Sequence, residues 1–470
     1  MSSRDAVFVD REGELGVLRR LWGEGGFKLV IVYGRRRVGK TRLLREFCLS
    51  SGVECVFYAS VPQPEEVARD ELIEAIRRSL GLRVTGRDVA EVIETLSRLL
   101  RSLGRRAALV LDEFQYMALS SPGLVGRLQR LIDEALSDDG SLMLVLCGSA
   151  VSFMEAELLG YKSPLYGRRS ASIRLRPLNP VKVAGFYPGW PFKEVLEAYG
   201  VLGGTPAYHR LFNPREDLRS NILKNILTQG SYLLDEAFNL LRQEVREPRT
   251  YFTILSGVAA GVMSPAKLAA LAGIDSRTVG KYVSLLEGLD ILRRVAPLGR
   301  RKPVQVRFAD NYFRFWFTFV KPYQGLIEGG LGEDVLKIIE SRWGEYMGSV
   351  FEDAVAEMVP ELRRAGVIKV LPLKYGRWWH KGEEIDLVIA GEGEAQFIEV
   401  KWASLTARDV RRALDGLRAK AVKTGVMFRR PHYTLIAREV RGEASLERGE
   451  EVYDLSDLSK LLKVGRPAKR

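Results

Sequence analysis

The sequence predicts an α/β protein: a helix-covered parallel sheet, then a helical middle ending in a hairpin, then a second α/β segment. Three observations predict it. Apolar strand-like runs at 29–33, 53–59, 107–111, 142–147 and 171–176 alternate with helical patterns at 65–80, 88–103 and 123–136, as in a parallel sheet buried on both faces. Between 250 and 308 the pattern becomes helix, short Gly-containing turn, helix and two strands joined by a basic tip. From 343 onward a helix precedes strand patterns at 367–372, 384–390 and 396–401, a helix at 404–422 and a strand at 433–438.

The first run feeds into Gly34-Arg35-Arg36-Arg37-Val38-Gly39-Lys40-Thr41, which has the spacing G-x-x-x-x-G-K-T, and a helical pattern follows at once. A triphosphate needs a ring of backbone N–H donors, so the loop must curl tightly with no side chain at Gly34 and Gly39. The helix start adds its positive dipole end. Lys40 supplies a point charge for the outer phosphates, and the Thr41 hydroxyl is a Mg²⁺ ligand. Residues Gly34 to Thr41, with Arg42, form the predicted ATP-binding set. The preceding Phe8-Val9-Asp10-Arg11-Glu12 reads as a capped helix start with Asp10 as N-cap, or as a segment over the adenine through Asp10 and Arg11.

The third run ends in Asp112-Glu113. Two carboxylates at the carboxyl end of a buried strand divide the work: Asp112 holds Mg²⁺ through water and Glu113 activates the attacking water. The fourth run ends in Gly148-Ser149, where the serine either senses the γ-phosphate or merely turns the chain. Arg168 or Arg169, in PLYGRR, is the candidate for reaching the γ-phosphate of its own or a neighbouring copy, which is compatible with a homo-oligomer; a solvated basic turn is the alternative. Gly203-Gly204-Thr205-Pro206 breaks a helical region as a forced turn or hinge.

At 470 residues the chain holds two to four domains. Seventy-two Lys and Arg against 59 Asp and Glu give a net charge of +13, which suits a polyanionic partner such as DNA. Three cysteines without paired spacing argue against a disulfide framework or zinc site and for a reducing compartment. The opening residues lack an apolar signal core and no run approaches 18 apolar residues, so the expectation is a cytoplasmic chain with no membrane span.

The ordered set FVDREGEL, GRRRVGKT, LVLDEFQ, LCGSAVSFM, PLYGRR and GGTPAY resembles the archaeal ATPase family of AAA-like P-loop proteins over roughly residues 1–240. The resemblance implies an additional-strand sheet, with the Ser149 strand between the Gly34 and Asp112 strands. It also implies ATP as ligand and a nucleotide-linked role for the turn ending at Pro206.

In the middle segment, Ser264-Pro265 opens a helix, Gly273 to Ser276 turns, and RTVGKYVSLLEGLD forms the next helix. As a winged helix this would turn Ser276, Arg277, Lys281 and Tyr282 to a DNA major groove and lay Arg300, Arg301 and Lys302 along phosphates. A module that only contacts protein is the alternative. The aromatic run Asp310 to Phe317 reads as a core or interdomain seam more than as a base-stacking surface.

In the last third, strand periodicity puts Glu399 and Lys401 on one face, and Asp386 alternates with Ile385 and Leu387. Asp386 and Glu399, completed by Glu352, make an oxygen site for Mg²⁺, with Lys401 beside it to orient water; a salt bridge on the sheet surface is the alternative. D-x₁₂-E-x-K resembles the restriction-endonuclease-like superfamily, PD-(D/E)xK, over roughly 340–440, with Ile385 in place of the usual Pro. That resemblance implies a nuclease-like fold.

The expected organisation is a P-loop core over 1–180 and a helical lid over 181–248. A winged helix-turn-helix at 249–310, an aromatic connector at 311–342, a restriction-endonuclease-like domain at 343–440, and a C-terminal helix with basic tail at 441–470 follow. The expected function is an ATP-hydrolysing protein acting on DNA, with Lys40, Glu113, Ser149 and Arg168, then Asp386, Glu399 and Lys401, as its chemistry. The alternative is a nucleotide-dependent switch whose C-terminal domain binds DNA or protein without cutting.

Overall fold

The computed structural model describes residues 8–245, 247–426 and 428–464; the basic tail expected at 465–470 lies outside the described residues. The chain divides into two compact units, the first ending at Arg176 and the second beginning at Pro177.

The first unit is a five-stranded parallel sheet ordered β2-β3-β4-β1-β5. Its strands are β1 (Lys28–Tyr33), β2 (Cys55–Ala59), β3 (Ala107–Asp112), β4 (Leu142–Gly148) and β5 (Ala171–Arg174). Strand β4, which runs into Ser149, lies between β1 and β3, as the resemblance implies. Because strand side chains alternate, each apolar run feeds two cores. Leu29, Ile31, Leu109 and Leu144 face the helices Glu65–Leu80, Val89–Ser102 and Leu124–Leu131. Val30, Val32, Val110 and Val145 face Leu18 of α1 (Glu12–Gly23) and Leu43 and Phe47 of α2 (Lys40–Ser51).

Two expectations are corrected here. Asp10 is not the N-cap residue of α1: Arg11 occupies that position without a side-chain cap hydrogen bond, and both residues have positive φ (59° and 80°). The expectation of no disulfide also fails, since Cys48 and Cys55 are bonded with Cα atoms 6.2 Å apart. Gly52, at φ 61°, ends α2 in the left-handed conformation and returns the chain to β2, which brings the two cysteines together. Cys147 is a free, buried thiol.

The second unit begins with helices and reaches the antiparallel pair β6 (Leu292–Val295) and β7 (Gln305–Phe308), preceded by helices Pro248–Ala259, Pro265–Leu271 and Val279–Gly288. The aromatic run is core: Tyr312, Phe313, Phe315 and Trp316 are buried. The Tyr312 hydroxyl donates to the Leu233 carbonyl, and the Trp316 indole N–H to that of Leu234. A second five-stranded sheet, ordered β12-β11-β10-β9-β8, closes the unit. It comprises β8 (Lys374–His380), β9 (Glu383–Ala390), β10 (Glu394–Thr406), β11 (Arg430–Arg441) and β12 (Glu450–Tyr453). Strands β10, β11 and β12 are parallel, whereas β8 and β9 join antiparallel. Helix Ala407–Ala421 covers one face through Val410, Leu414 and Leu417, which meet Val388, Ala395 and Phe397.

The strand expected at 367–372 is absent. Its backbone is satisfied by the side-chain amide of buried Gln396, which accepts from Lys369 N–H and donates to the Val367 carbonyl. No helix among the described residues is long and apolar enough to cross a membrane.

Candidate active site

The loop after β1 is built from residues the backbone demands. Gly34 has φ 150°, and a Cβ there would stand 2.3 Å from the Leu175 carbonyl oxygen, so only glycine lets the loop pass the end of β5. Arg37 (φ 70°) and Gly39 (φ 98°) complete the curl, and Gly39 is the N-cap residue of α2. Lys40 Nζ donates to the carbonyls of Gly34 (2.8 Å) and Arg35 (3.1 Å), folding the ammonium back over the loop. Its side chain is buried, and desolvation holds its pKa below the ordinary lysine value.

Arg11 accounts for the left-handed backbone ahead of α1. Its guanidinium donates to the Val38 carbonyl (3.2 Å) and the Arg176 carbonyl (2.7 Å), and it pairs with Glu14. It therefore ties the loop to the exit from β5, a role the sequence did not suggest. Arg36 donates to the Tyr116 hydroxyl at 2.6 Å, on the helix that follows Glu113.

The β3 carboxylates sit as their spacing predicts. Thr41 Oγ1 donates to Asp112 Oδ2 at 2.5 Å, placing hydroxyl and carboxylate side by side. Asp112 Oδ1 accepts the Glu113 N–H at 3.0 Å, and Glu113 takes φ 51°, which turns the chain out of the strand. Glu113 Oε2 accepts from the Ser149 hydroxyl at 2.6 Å and from the Gln115 amide. Burial raises the Glu113 pKa, but those two hydrogen bonds and the Lys40 charge outweigh it and hold the carboxylate below its ordinary value. Ser149 thus touches Glu113 from β4. Gln115, which the sequence reading left without a role, bridges to Ser149 at 3.3 Å; its only signal was its place two residues after the paired carboxylates. Burial, then Asp112, pushes the Cys147 thiol well up, so it stays protonated beneath the site.

Arg168 is engaged away from the loop: its guanidinium pairs with Asp133 (2.6 Å) and donates to the Pro164 carbonyl. Arg169 donates to the Leu159 carbonyl and lies over the Tyr166 ring. Pro206 belongs to the second unit, where it opens the short helix Pro206–His209. Gly204 is required there, because a Cβ would lie 1.9 Å from the Leu178 carbonyl oxygen.

In the second unit, the β9–β10 ladder ends at Leu387–Ile398, so Asp386 and Glu399 come next on one face. Asp386 Oδ2 takes over the lapsed ladder by accepting Val400 N–H at 2.8 Å. Burial, then Glu352 and Glu399, push the Asp386 carboxyl up to about 7. Glu399 is bridged by Lys401 (2.7 Å) and Lys420 (3.2 Å), the latter from helix Ala407–Ala421. Burial lowers the Lys401 pKa, but Glu399 outweighs it and the net shift is upward. Glu352 pairs with Arg377 of β8 at 2.7 Å, and Arg377 also holds Asp353. The three carboxylates expected to hold Mg²⁺, Glu352, Asp386 and Glu399, thus lie together with Arg377, Lys401 and Lys420. Arg377, Lys401 and Lys420 compensate two of the three carboxylates, and among the described residues no three His, Cys, Asp or Glu are grouped to hold a metal ion.

Ser276, Arg277 and Lys281 are exposed, while Tyr282 meets Tyr251 edge to face at 4.9 Å. The tip between β6 and β7 rests on β8: Leu298 N–H donates to the Arg377 carbonyl, and Arg300 contacts His380 at 2.8 Å. Arg301 and Lys302 are exposed.

The strand order, the glycine-framed loop and the Asp112–Glu113 pair define a P-loop ATPase domain. Residues 8–210 match a family described as an ATPase domain predominantly from Archaea. Residues 193–314 match a domain of unknown function, and residues 316–413 match a family of archaeal and bacterial proteins of unknown function. An uncharacterized protein of Methanocaldococcus jannaschii is 29% identical over 460 residues, covering 96% of this chain and all of that one. An uncharacterized ATP-binding protein of the same organism is 54% identical over 41 residues, 9% of this chain and 70% of the other. The solved Walker-type ATPase of Pyrococcus abyssi shares the fold with a TM-score of 0.52 and 21% identity, over 66% of this chain and 96% of that one.

Proposed function

We propose that this protein binds and hydrolyses ATP in its first unit and uses the nucleotide state to act on DNA through its second. The observation that carries the reading is the pair of adjoining clusters at the carboxyl ends of β1, β3 and β4. Lys40, Thr41 and Asp112 gather where phosphates and their counterion belong, and Glu113, Gln115 and Ser149 lie beside them.

Thr41 and Asp112 would hold Mg²⁺, which supplies neutralisation of the phosphate charge. The chain's own residues do the rest. Loop N–H groups and Lys40 bind the phosphates, Glu113 orients and deprotonates the attacking water, and Ser149 and Gln115 hold the Glu113 carboxylate as the anion. The ATP-binding relative from Methanocaldococcus jannaschii supports the ligand assignment.

The exposed Ser276, Arg277 and Lys281 on the helix-turn-helix segment, together with the net charge of +13, support DNA as partner. For the last sheet, a nucleotide-dependent switch that binds without cutting is favoured over a nuclease. Two of the three carboxylates expected to take a metal ion are paired instead with cations, Glu352 with Arg377 and Glu399 with Lys401 and Lys420.

Equilibrium binding of ATP by wild type and Lys40→Ala tests the nucleotide assignment, and unchanged affinity in the variant would sink it. Incubating duplex, single-stranded, flap and junction DNA with Mg²⁺ or Mn²⁺, with and without ATP, tests the switch. Binding without cleavage is expected, whereas cutting that disappears in Lys401→Ala would establish a nuclease.

A further inference from the structure

A cavity of about 320 Å³ opens in the second unit beside β7, between helix Pro248–Ala259 and helix Trp343–Glu357. Its volume lies at the lower end of the range for small-molecule sites. Val258, Val306, Phe308 and Phe319 make its wall apolar, and all four are buried. Three guanidinium groups line it as well: Arg307, Arg314 and, at the exposed rim, Arg342, which lies 5.3 Å from the Phe319 ring centroid.

Two of these arginines keep donors that no carboxylate takes up. The Arg314 side chain is 11% exposed; it pairs with Asp353, but its Nη1 is buried without a hydrogen-bond partner. Among the described residues Arg307 forms no ion pair, and its Nε donates only to the neutral Gln305 side chain at 2.9 Å. Burial, and then the Arg377 charge, hold its pKa below the ordinary guanidinium value. Asp353, the buried carboxylate on the cavity floor, cannot serve Arg307, because Arg293, Arg314 and Arg377 already surround it. Half-buried Arg307 makes no ion pair and Arg314 Nη1 has no partner, which leaves N–H donors at the cavity for an anion from outside.

We propose that this cavity binds a phosphate-bearing small molecule, with its phosphate against Arg307 and Arg314 Nη1 and its apolar or aromatic body against Phe308 and Phe319. Guanidinium forks from two sides present more N–H donors than a carboxylate's two oxygens can take up, and a phosphate monoester has three terminal oxygens for them. The site is separate from the nucleotide loop and contains none of its residues.

The test is calorimetric titration of the full-length protein, its nucleotide loop saturated with MgADP, with phenyl phosphate, benzoate or phenol. Wild type should bind phenyl phosphate at one saturable site, benzoate more weakly and phenol not at all. Arg307→Gln should lose at least tenfold in affinity while Arg307→Lys retains part of it. Arg342→Gln, at the exposed rim, gives a second reading that does not depend on the buried variant folding. Repeating the titration with Lys40→Ala identifies heat arising at the nucleotide loop: affinity lost in that variant would place phenyl phosphate there and overturn the proposal. Absence of saturable binding, benzoate binding as tight as phenyl phosphate, or unchanged affinity in both Arg307→Gln and Arg342→Gln would also overturn it.

Discussion

Asp386→Asn should stabilise the protein in a pH-dependent way. The buried carboxyl lies beside Glu352 and Glu399, and its pKa rises from 3.8 to about 7. The folded chain therefore holds a proton that the unfolded chain releases, and wild type loses stability as pH climbs from about 4 to about 7. At roughly 1.4 kcal/mol per pH unit over some three units, ionised Asp386 costs about 4 kcal/mol at pH 8. An amide keeps the acceptor for Val400 N–H and carries no charge. Chemical denaturation of wild type and variant at pH 4 and pH 8 reads the difference. Near-equal stability at pH 4 and a gain on the order of 4 kcal/mol for the variant at pH 8 is expected. A variant less stable than wild type at pH 8 would refute the argument and mean that Asp386 is held as a charged ligand by the cations around it.

Other perturbations follow from the same structure. Cys48→Ser opens the eight-residue loop closed by the disulfide between residues seven apart, and loop entropy puts the loss at about 2 kcal/mol. It should appear as a lowered melting temperature of the first unit, and an unchanged one would show that the bond does not form. Gly34→Ala places a methyl 2.3 Å from the Leu175 carbonyl oxygen at a backbone angle that glycine favours; ATP affinity should fall at least tenfold by fluorescence titration, with circular dichroism reporting a retained fold. Arg11→Ala removes the clamp on the Val38 and Arg176 carbonyls. It should weaken ATP binding by several-fold and lower the melting temperature by a few degrees, an order fitting the loss of about two charge-assisted hydrogen bonds.

Much of the first unit was legible because its signals are local. The central strands are apolar runs such as Ala107 to Leu111, and G-x-x-x-x-G-K-T demands one backbone conformation. What the sequence hid were long-range partners. Nothing near Arg11 announces that it reaches Arg176, 165 residues away, and nothing near Glu399 announces Lys420. Val367 to Pro372 has the apolar spacing of a strand, yet Gln396 takes up its backbone groups and no neighbouring strand pairs with it. The true edge strand, Lys374–His380, carries Lys, Gly, Arg and His and looks like a loop. The three-carboxylate reading brought Asp386 and Glu399 correctly onto one face, but charge compensation by Arg377 depends on a side chain that no spacing rule identifies.

We assign to Glu113, held as an anion by Ser149 and Gln115, the activation of water for attack on ATP bound at Lys40. Single-turnover hydrolysis of ATP by wild type and Glu113→Gln, with binding measured in parallel, tests it most directly. Near-normal ATP affinity and a hydrolysis rate reduced by about 10²–10⁴-fold are expected in the variant. A Glu113→Gln variant that hydrolyses ATP at the wild-type rate would contradict it.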